Sequence, residues 1–270
     1  PLTIDYEEKF YAAGKILGSR FVRREGRPSD EAILSARLID RSLRPLFNGK
    51  TRRDIQITLT VLAFDEENDP DAIGLIVASA ALHASDIPFA GPAAGLRIAK
   101  VGDEIIINPK MSLLKSGTHP IEVFAAGTNE HINMIEMEGL DANEEELLNI
   151  FELAQKEITK ITEFQEKIRT EIGEEKTKVF LAETDAKLHE EVKNFIKDKL
   201  EGAVYATEKI ERQSKMNVLK QEMREHLRSK EYNEIAVDAS EELFEDEIND
   251  LMHDKVLNEG KRPDGRKNNE

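Results

Sequence analysis

The chain has 270 residues, with 54 acidic and 38 basic side chains and a net charge of −16. The absence of cysteine excludes a disulfide framework, thiolate metal ligands and a cysteine nucleophile, and suits a reducing compartment such as the cytoplasm. No apolar run approaches the roughly 20 residues of a bilayer-spanning helix, and no charged-then-apolar leader opens the chain, so no membrane partner is expected.

Residues 2–8 alternate as a strand, and residues 13–30, rich in Gly, Arg and Pro, read as a loop. Ser29 is a helix N-cap, with Asp30 and Glu31 favourable in the first turn. Ala32, Ala36, Ile39 and Leu43 share one face of that helix. Arg37, Arg41 and Arg44 lie opposite, and Pro45 ends it. Residues 55–61 form a β-branched, alternating strand. An acidic turn at 65–69 precedes a small, apolar helix over 72–84 that is expected to be buried on most sides. Pro88 and Gly91-Pro92 break the chain. Strands follow near 94–100, 104–108, 120–126 and 133–138, with turns at Gly102-Asp103 and Thr128-Asn129.

From Asn143 the composition changes. Residues 144–172 are one long helix-periodic stretch rich in Glu, Lys, Leu and Ile, interrupted by Gly173. Residues 184–256 read as three or four helices, broken near Gly202, at 229–233 and at 238–240. The expected division is an α/β part over 1–142, an all-helical part over 143–259 and a new beginning over 260–270. Pro1 already reads as part of a strand and residues 265–270 stop in polar sequence, so the chain is expected to continue at both ends.

The negative charge is uneven. Residues 1–140 carry a net −4 and residues 141–270 a net −12. Residues 20–53 hold ten basic side chains against four acidic ones, and nine of the ten are Arg, whose planar fork suits phosphate. A local positive patch can hold an anion despite the global sign. On spacing alone, Arg23, Arg24 and Arg27 beside Gly26 are either a phosphate grip or a solvated loop with intersubunit ion pairs. Phe21 beside them offers a base-stacking ring. Residues 65–69 lack the spacing of a calcium loop and read as a solvated turn. His83, His119, His131, His189, His226 and His253 form no paired ligand spacing. Ser29 and Ser42 lie in no nucleophile motif, and residues 91–95 lack the Gly-Lys-Ser/Thr of a P-loop. The acidic helices read as a packing and spacing module.

Three segments together carry a family resemblance. Tyr11-Ala12-Ala13-Gly14-Lys15-Ile16, Gly18-Ser19-Arg20-Phe21-Val22-Arg23-Arg24-Glu25-Gly26-Arg27-Pro28-Ser29 and Ala36-Arg37-Leu38-Ile39-Asp40-Arg41-Ser42-Leu43-Arg44-Pro45-Leu46-Phe47 resemble the bacterial polynucleotide phosphorylase family. Asp69-Pro70-Asp71, residues 78–82, Ile87-Pro88-Phe89 and Gly91-Pro92 continue the likeness, and Arg262-Pro263-Asp264-Gly265-Arg266 resembles the opening of that family's second core. The implied fold is α+β. It is an RNase-PH-like core of the ribosomal protein S5 domain 2-like kind, truncated at its N-terminus and followed by an all-α linker.

The resemblance implies a homotrimeric ring that degrades single-stranded RNA from its 3′ end, with inorganic phosphate as nucleophile, nucleoside diphosphates as products and Mg²⁺ as cofactor. Degradosome-type proteins are further implied partners. It places RNA contact at Phe21, Arg23, Arg24 and Arg27, with Arg41 and Arg44 along the RNA path or between subunits. Val22 departs from the family's usual second Phe, which weakens the expected stacking. The family's phosphate and metal ligands lie in the second core, so no catalytic or metal-binding residue is expected here, and no phosphorolysis by these residues alone. The rival expectations are a noncatalytic, ring-forming RNA-binding subunit of an exosome-like assembly, and an acidic helical adaptor.

Overall fold

A computed structural model describes residues 2–15, 28–51, 53–115, 117, 121–178, 185–206 and 208–266. The chain forms two compact units, Pro1–Ala182 and Glu183–Glu270.

In the first unit, strand β1 (Leu2–Glu8) pairs in parallel with β2 (Ile55–Val61), with Tyr6 beside Leu59. Parallel neighbours need a long crossover, which helix α1 (Asp30–Leu43) supplies. The Ser29 hydroxyl accepts the Ala32 N–H at 3.0 Å, as the N-cap pattern requires. Helix α2 (Pro70–Ala84) starts on the Asp69 cap with Pro70 in its first turn, where the missing N–H costs nothing. It buries Leu75, Ala78, Ser79, Leu82 and His83 but leaves Ile73 and Val77 more than half exposed, so it is covered less fully than its composition suggests.

An antiparallel sheet follows in the order β4-β3-β5-β6, from β3 (Ala94–Val101), β4 (Glu104–Ile107), β5 (Ile121–Gly127) and β6 (Ile132–Gly139). A short helix, α3 (Met111–Lys115), had no clear signal in the sequence. Alternation along β5 divides its side chains between two cores. Phe124 and Ala126 join Tyr6, Ile39, Leu43 and Leu75. Ile121, Val123 and Ala125 join Leu96 and Ile98 beneath helix α4 (Glu144–Ile172), which contributes Ile150, Ala154 and Ile158. Those three residues recur every four positions and form one buried stripe.

The composition change at Asn143 marks the start of α4, with Asn143 as its N-cap. The compact unit nevertheless runs on through α4, because its stripe closes the sheet. The segment after α4 returns to α2. Lys176 Nζ donates to the carbonyls of Leu82, His83 and Ser85 at 2.8, 3.0 and 2.6 Å, a cation set on the negative end of that helix.

The second unit is α5 (Ala186–Val204), α6 (Lys209–Ser229) and α7 (Glu234–Glu259) around Leu188, Val192, Ile196, Leu219, Met223, Leu227, Phe244 and Ile248. The break expected at 238–240 is absent. Ser240 is buried within α7 and its hydroxyl donates to the Val237 carbonyl, so the local competitor of the helix is absorbed by it. Gly260 ends α7 with φ at 65°, a left-handed cap that favours glycine. Among the described residues, no helix is long and apolar enough to cross a membrane.

Candidate nucleic-acid interface

Phe21, Arg23, Arg24 and Arg27 lie outside the described residues. The segments on either side, the stems of the expected loop, are described. After β1, residues Phe10–Ala13 make a single 3₁₀ turn closed by Gly14 at φ 68°, where a Cβ would be strained. The Ala12 carbonyl accepts the Phe64 N–H at 2.8 Å, and Lys15 pairs with Glu66 at 2.8 Å. The entrance stem is therefore tied to the segment after β2. Phe10 and Tyr11 are about half exposed on it. The exit stem runs from Pro28 directly into the Ser29 cap of α1.

Among the helical arginines, Arg37 and Arg41 are exposed and make no ion pair among the described residues. Arg44 is engaged. Its guanidinium forks onto both Asp40 oxygens at 2.9 and 2.7 Å and also donates to the Leu2 carbonyl at 3.0 Å. Arg44 thus ties the end of α1 to the start of β1.

A polar cluster, only partly visible in the sequence, sits at the start of α2. Arg97 of β3 bonds Asp69 through Nε at 2.7 Å and Glu122 through Nη1 at 2.5 Å. All three side chains are about four-fifths buried or more. Asp69 also caps α2, taking the Asp71 N–H at 2.9 Å. The Tyr6 hydroxyl is buried beside the carboxyls of Asp71 and Glu8. Burial, then Asp71 and Glu8, pushes that phenol well above its usual range. Burial and the Asp69 charge push the Asp71 carboxyl up to about 6. Glu8 is also pushed up, by burial and then by Glu31. In the sequence Asp69 reads as the end of an acidic turn, and nothing local could signal Arg97, 28 residues away.

Because Asp71 binds its proton more tightly in the folded state, its favourable contribution is complete below the ordinary value of 3.8 and is lost as pH rises through about 6. Asp71→Asn is therefore expected to stabilise the first unit by about 1–3 kcal/mol above neutral pH and to leave it little changed in acid. Hydrogen exchange of the β3 and β5 amides at both pH extremes measures this. Equal protection in variant and parent at high pH would refute it.

Two models of one family match consecutive stretches. "3′ exoribonuclease family, domain 1" covers residues 1–88 and "3′ exoribonuclease family, domain 2" covers 91–157. The chain belongs to the 3′ exoribonuclease family. Within it, residues 187–267 match the model described as "Polyribonucleotide nucleotidyltransferase, RNA binding domain". The polyribonucleotide nucleotidyltransferase of Sulfurihydrogenibium azorense is 40% identical over 99% of this chain and 37% of its own length. Those of Treponema denticola and Thermosipho melanesiensis are 39% and 40% identical over 98% of this chain and 38% of theirs. The chain thus spans little more than a third of the length of these relatives. Among solved structures, that of rice (Oryza sativa) Rrp46 aligns with 63% of this chain and 73% of its own at a TM-score of 0.49 and 12% identity. The α+β class and the all-helical second unit agree with the fold expected from the sequence.

Proposed function

We propose that this chain is the RNA-gripping part of a polyribonucleotide nucleotidyltransferase that shortens single-stranded RNA from the 3′ end. The observation that carries this is the continuous similarity to enzymes of that name over 98–99% of the chain. In the whole enzyme an oxygen of inorganic phosphate attacks the phosphorus of the terminal phosphodiester. The bond to the 3′ oxygen of the preceding nucleotide breaks, a nucleoside diphosphate leaves, and the shortened RNA keeps a 3′ hydroxyl. Such transfer depends on holding the scissile phosphate in line and offsetting its charge. Phe21, Arg23, Arg24 and Arg27 hold the strand for that step. Arg41, exposed on the helix that leaves the loop, borders its path, whereas the bonds of Arg44 favour a bracing role.

Mg²⁺ is part of the proposed whole enzyme. Among the described residues no group of three or more His, Asp or Glu side chains is arranged to hold a metal, so no residue here is assigned to it. A homotrimeric ring, cytoplasmic residence and degradosome-type partners complete the proposal. Residues 187–267 match the RNA-binding-domain description, so a second RNA contact on the helical unit is part of the proposal, carried by its cations despite the acidic surplus.

The test is binding of a labelled single-stranded RNA by the full chain. Arg23→Ala, Arg24→Ala and Arg27→Ala together are expected to weaken binding at least about tenfold and to reduce the salt slope by about 2, at roughly 0.7 per phosphate contact. Unchanged affinity and slope would remove the loop from the interface.

A further inference from the structure

Helices α6 and α7 both pack on α5 and leave a groove of about 460 Å³ between them, a volume suited to a small organic group. Arg212, Met216 and Lys220 line one wall at four-residue intervals of α6. Phe244, Ile248 and Met252 line the other at the same intervals of α7. The floor is therefore apolar, with two thioethers that adapt their shape to a neighbour. Gln213 and Asn217 stand exposed at the rim, the Gln213 amide donating to Asn217 Oδ1 at 3.2 Å. Pro263 closes the Arg212 end, and Glu245 is the carboxylate of the lining.

Charge distinguishes the Arg212 end. Other cations of this unit already have carboxylate partners: Lys199 holds Glu222, Lys220 holds Glu241 and Arg228 holds Glu234, each at 2.8 Å. Arg212 has none among the described residues. It is half-buried, and its Nη1 donates to the carbonyls of Ala206 and Pro263 at 3.2 and 3.0 Å. Those two bonds fix the plane of the guanidinium and leave its charge uncompensated, a state that favours an anion. The Nε–Nη2 edge, a fork that can take two oxygens of one anion, meets no acceptor among the described residues. Lys209, one turn earlier, is exposed and also makes no ion pair among the described residues. An oriented cation, an apolar floor and uncharged amides that can pair with a base edge together match the chemistry of a nucleotide.

We propose that this groove binds one nucleotide unit of single-stranded RNA, with its phosphate on the free edge of Arg212 and its base against Met216, Ile248 and Met252. The inference deepens the reading of residues 187–267 as an RNA contact and rests on it.

The experiment is fluorescence anisotropy of a labelled oligouridylate with the full chain over a series of salt concentrations. Arg212→Gln is expected to lower affinity about fivefold to tenfold, the size of one charge-assisted contact, and to reduce the salt slope by about 0.7. Arg212 also holds the segment at Pro263, so a second variant leaves it in place. Gln213→Glu with Asn217→Asp puts two carboxylates on the exposed rim and should weaken binding at least about threefold, less so at high salt. Lys187→Ala removes an exposed cation of α5 away from the groove and should change affinity little. Parent affinity and slope in both groove variants, with RNA still bound, would overturn the groove and leave the RNA reading intact. An equal loss in Lys187→Ala would mean that net charge alone sets affinity, and would overturn it too. Uridine diphosphate binding the parent more tightly than the oligouridylate, and lost in Arg212→Gln, would make this a free-nucleotide site and overturn the RNA assignment. No RNA binding by the parent would overturn the RNA reading and the groove together.

Discussion

Arg97→Met is expected to cost the first unit about 3–5 kcal/mol, because it leaves two mostly buried carboxylates without their cation. The loss has three parts. Asp69 and Glu122 each lose a charge-assisted bond, at 2.7 and 2.5 Å in the parent. Asp69 must still cap α2 through its other oxygen, so it cannot simply turn to solvent. Phe124 also loses the guanidinium that sits 5.8 Å from its ring centroid. Denaturant-dependent hydrogen exchange at the β3 and β5 amides reads the cost in this unit separately from the helical one. The deficit should shrink as pH falls, because the stranded carboxylates have raised proton affinity in the folded variant and are neutralised first. Adding Glu122→Gln should recover part of it. A deficit independent of pH would mean that packing of the Arg97 side chain, and not its charge, holds the cluster together.

The parts of this arrangement that could be read from the sequence are those in which cause and effect lie within one turn. Ser29 and the N–H it caps are three residues apart, and Asp69, Asn143 and Asn233 follow the same short rule. Gly173 stopped α4 where expected because a chain break needs no distant partner. Membership of α4 in the first unit was hidden, since Ile150, Ala154 and Ile158 announce a buried face without saying what buries it. The composition change at Asn143 was real, but it reflects the solvated face of α4 and not its packed one. The exposed side of the Arg37, Arg41 and Arg44 stripe was legible from helical spacing, whereas the grip of Arg44 on the Leu2 carbonyl crosses 42 residues. The same limit hid the polar cluster. Residues 65–69 read as one solvated acidic turn, and Asp65 does make local bonds to the N–H groups of Glu67 and Asn68. Asp69, four positions on, turns inward only because β3 brings Arg97 to it. The expected loop of Arg23, Arg24 and Arg27 rests on motif and charge alone and lies outside the described residues, while the segments on either side are tied down at Ala12, Lys15 and Ser29.

Phe124→Ala is expected to cost about 3–5 kcal/mol, the range for truncating a fully buried aromatic ring. The side chain is 1% exposed and fills the space between α2 and the sheet, and Gly95 is what makes room for it. A Cβ on Gly95 would lie 2.7 Å from Leu75 Cδ2 and 2.8 Å from Phe124 Cζ, closer than ordinary contacts allow. Gly95→Ala alone should therefore cost about 1–3 kcal/mol by overpacking. In the Phe124→Ala background one of those two collisions is gone and the added methyl enters the cavity. The second substitution should then cost less than half of what it costs in the parent, a coupling of the kind that adjoining residues show. The cycle is measured by the same exchange protection. Strict additivity would show that the neighbourhood of Gly95 relaxes when the ring is removed, and that ring and glycine do not share one packed space. Coupling would tie the aromatic core to the Arg97 cluster through Phe124, whose ring touches both. The loop stems would then rest on a single continuous body, in which a change at the sheet reaches Asp69, Asp71 and Tyr6 through packed atoms.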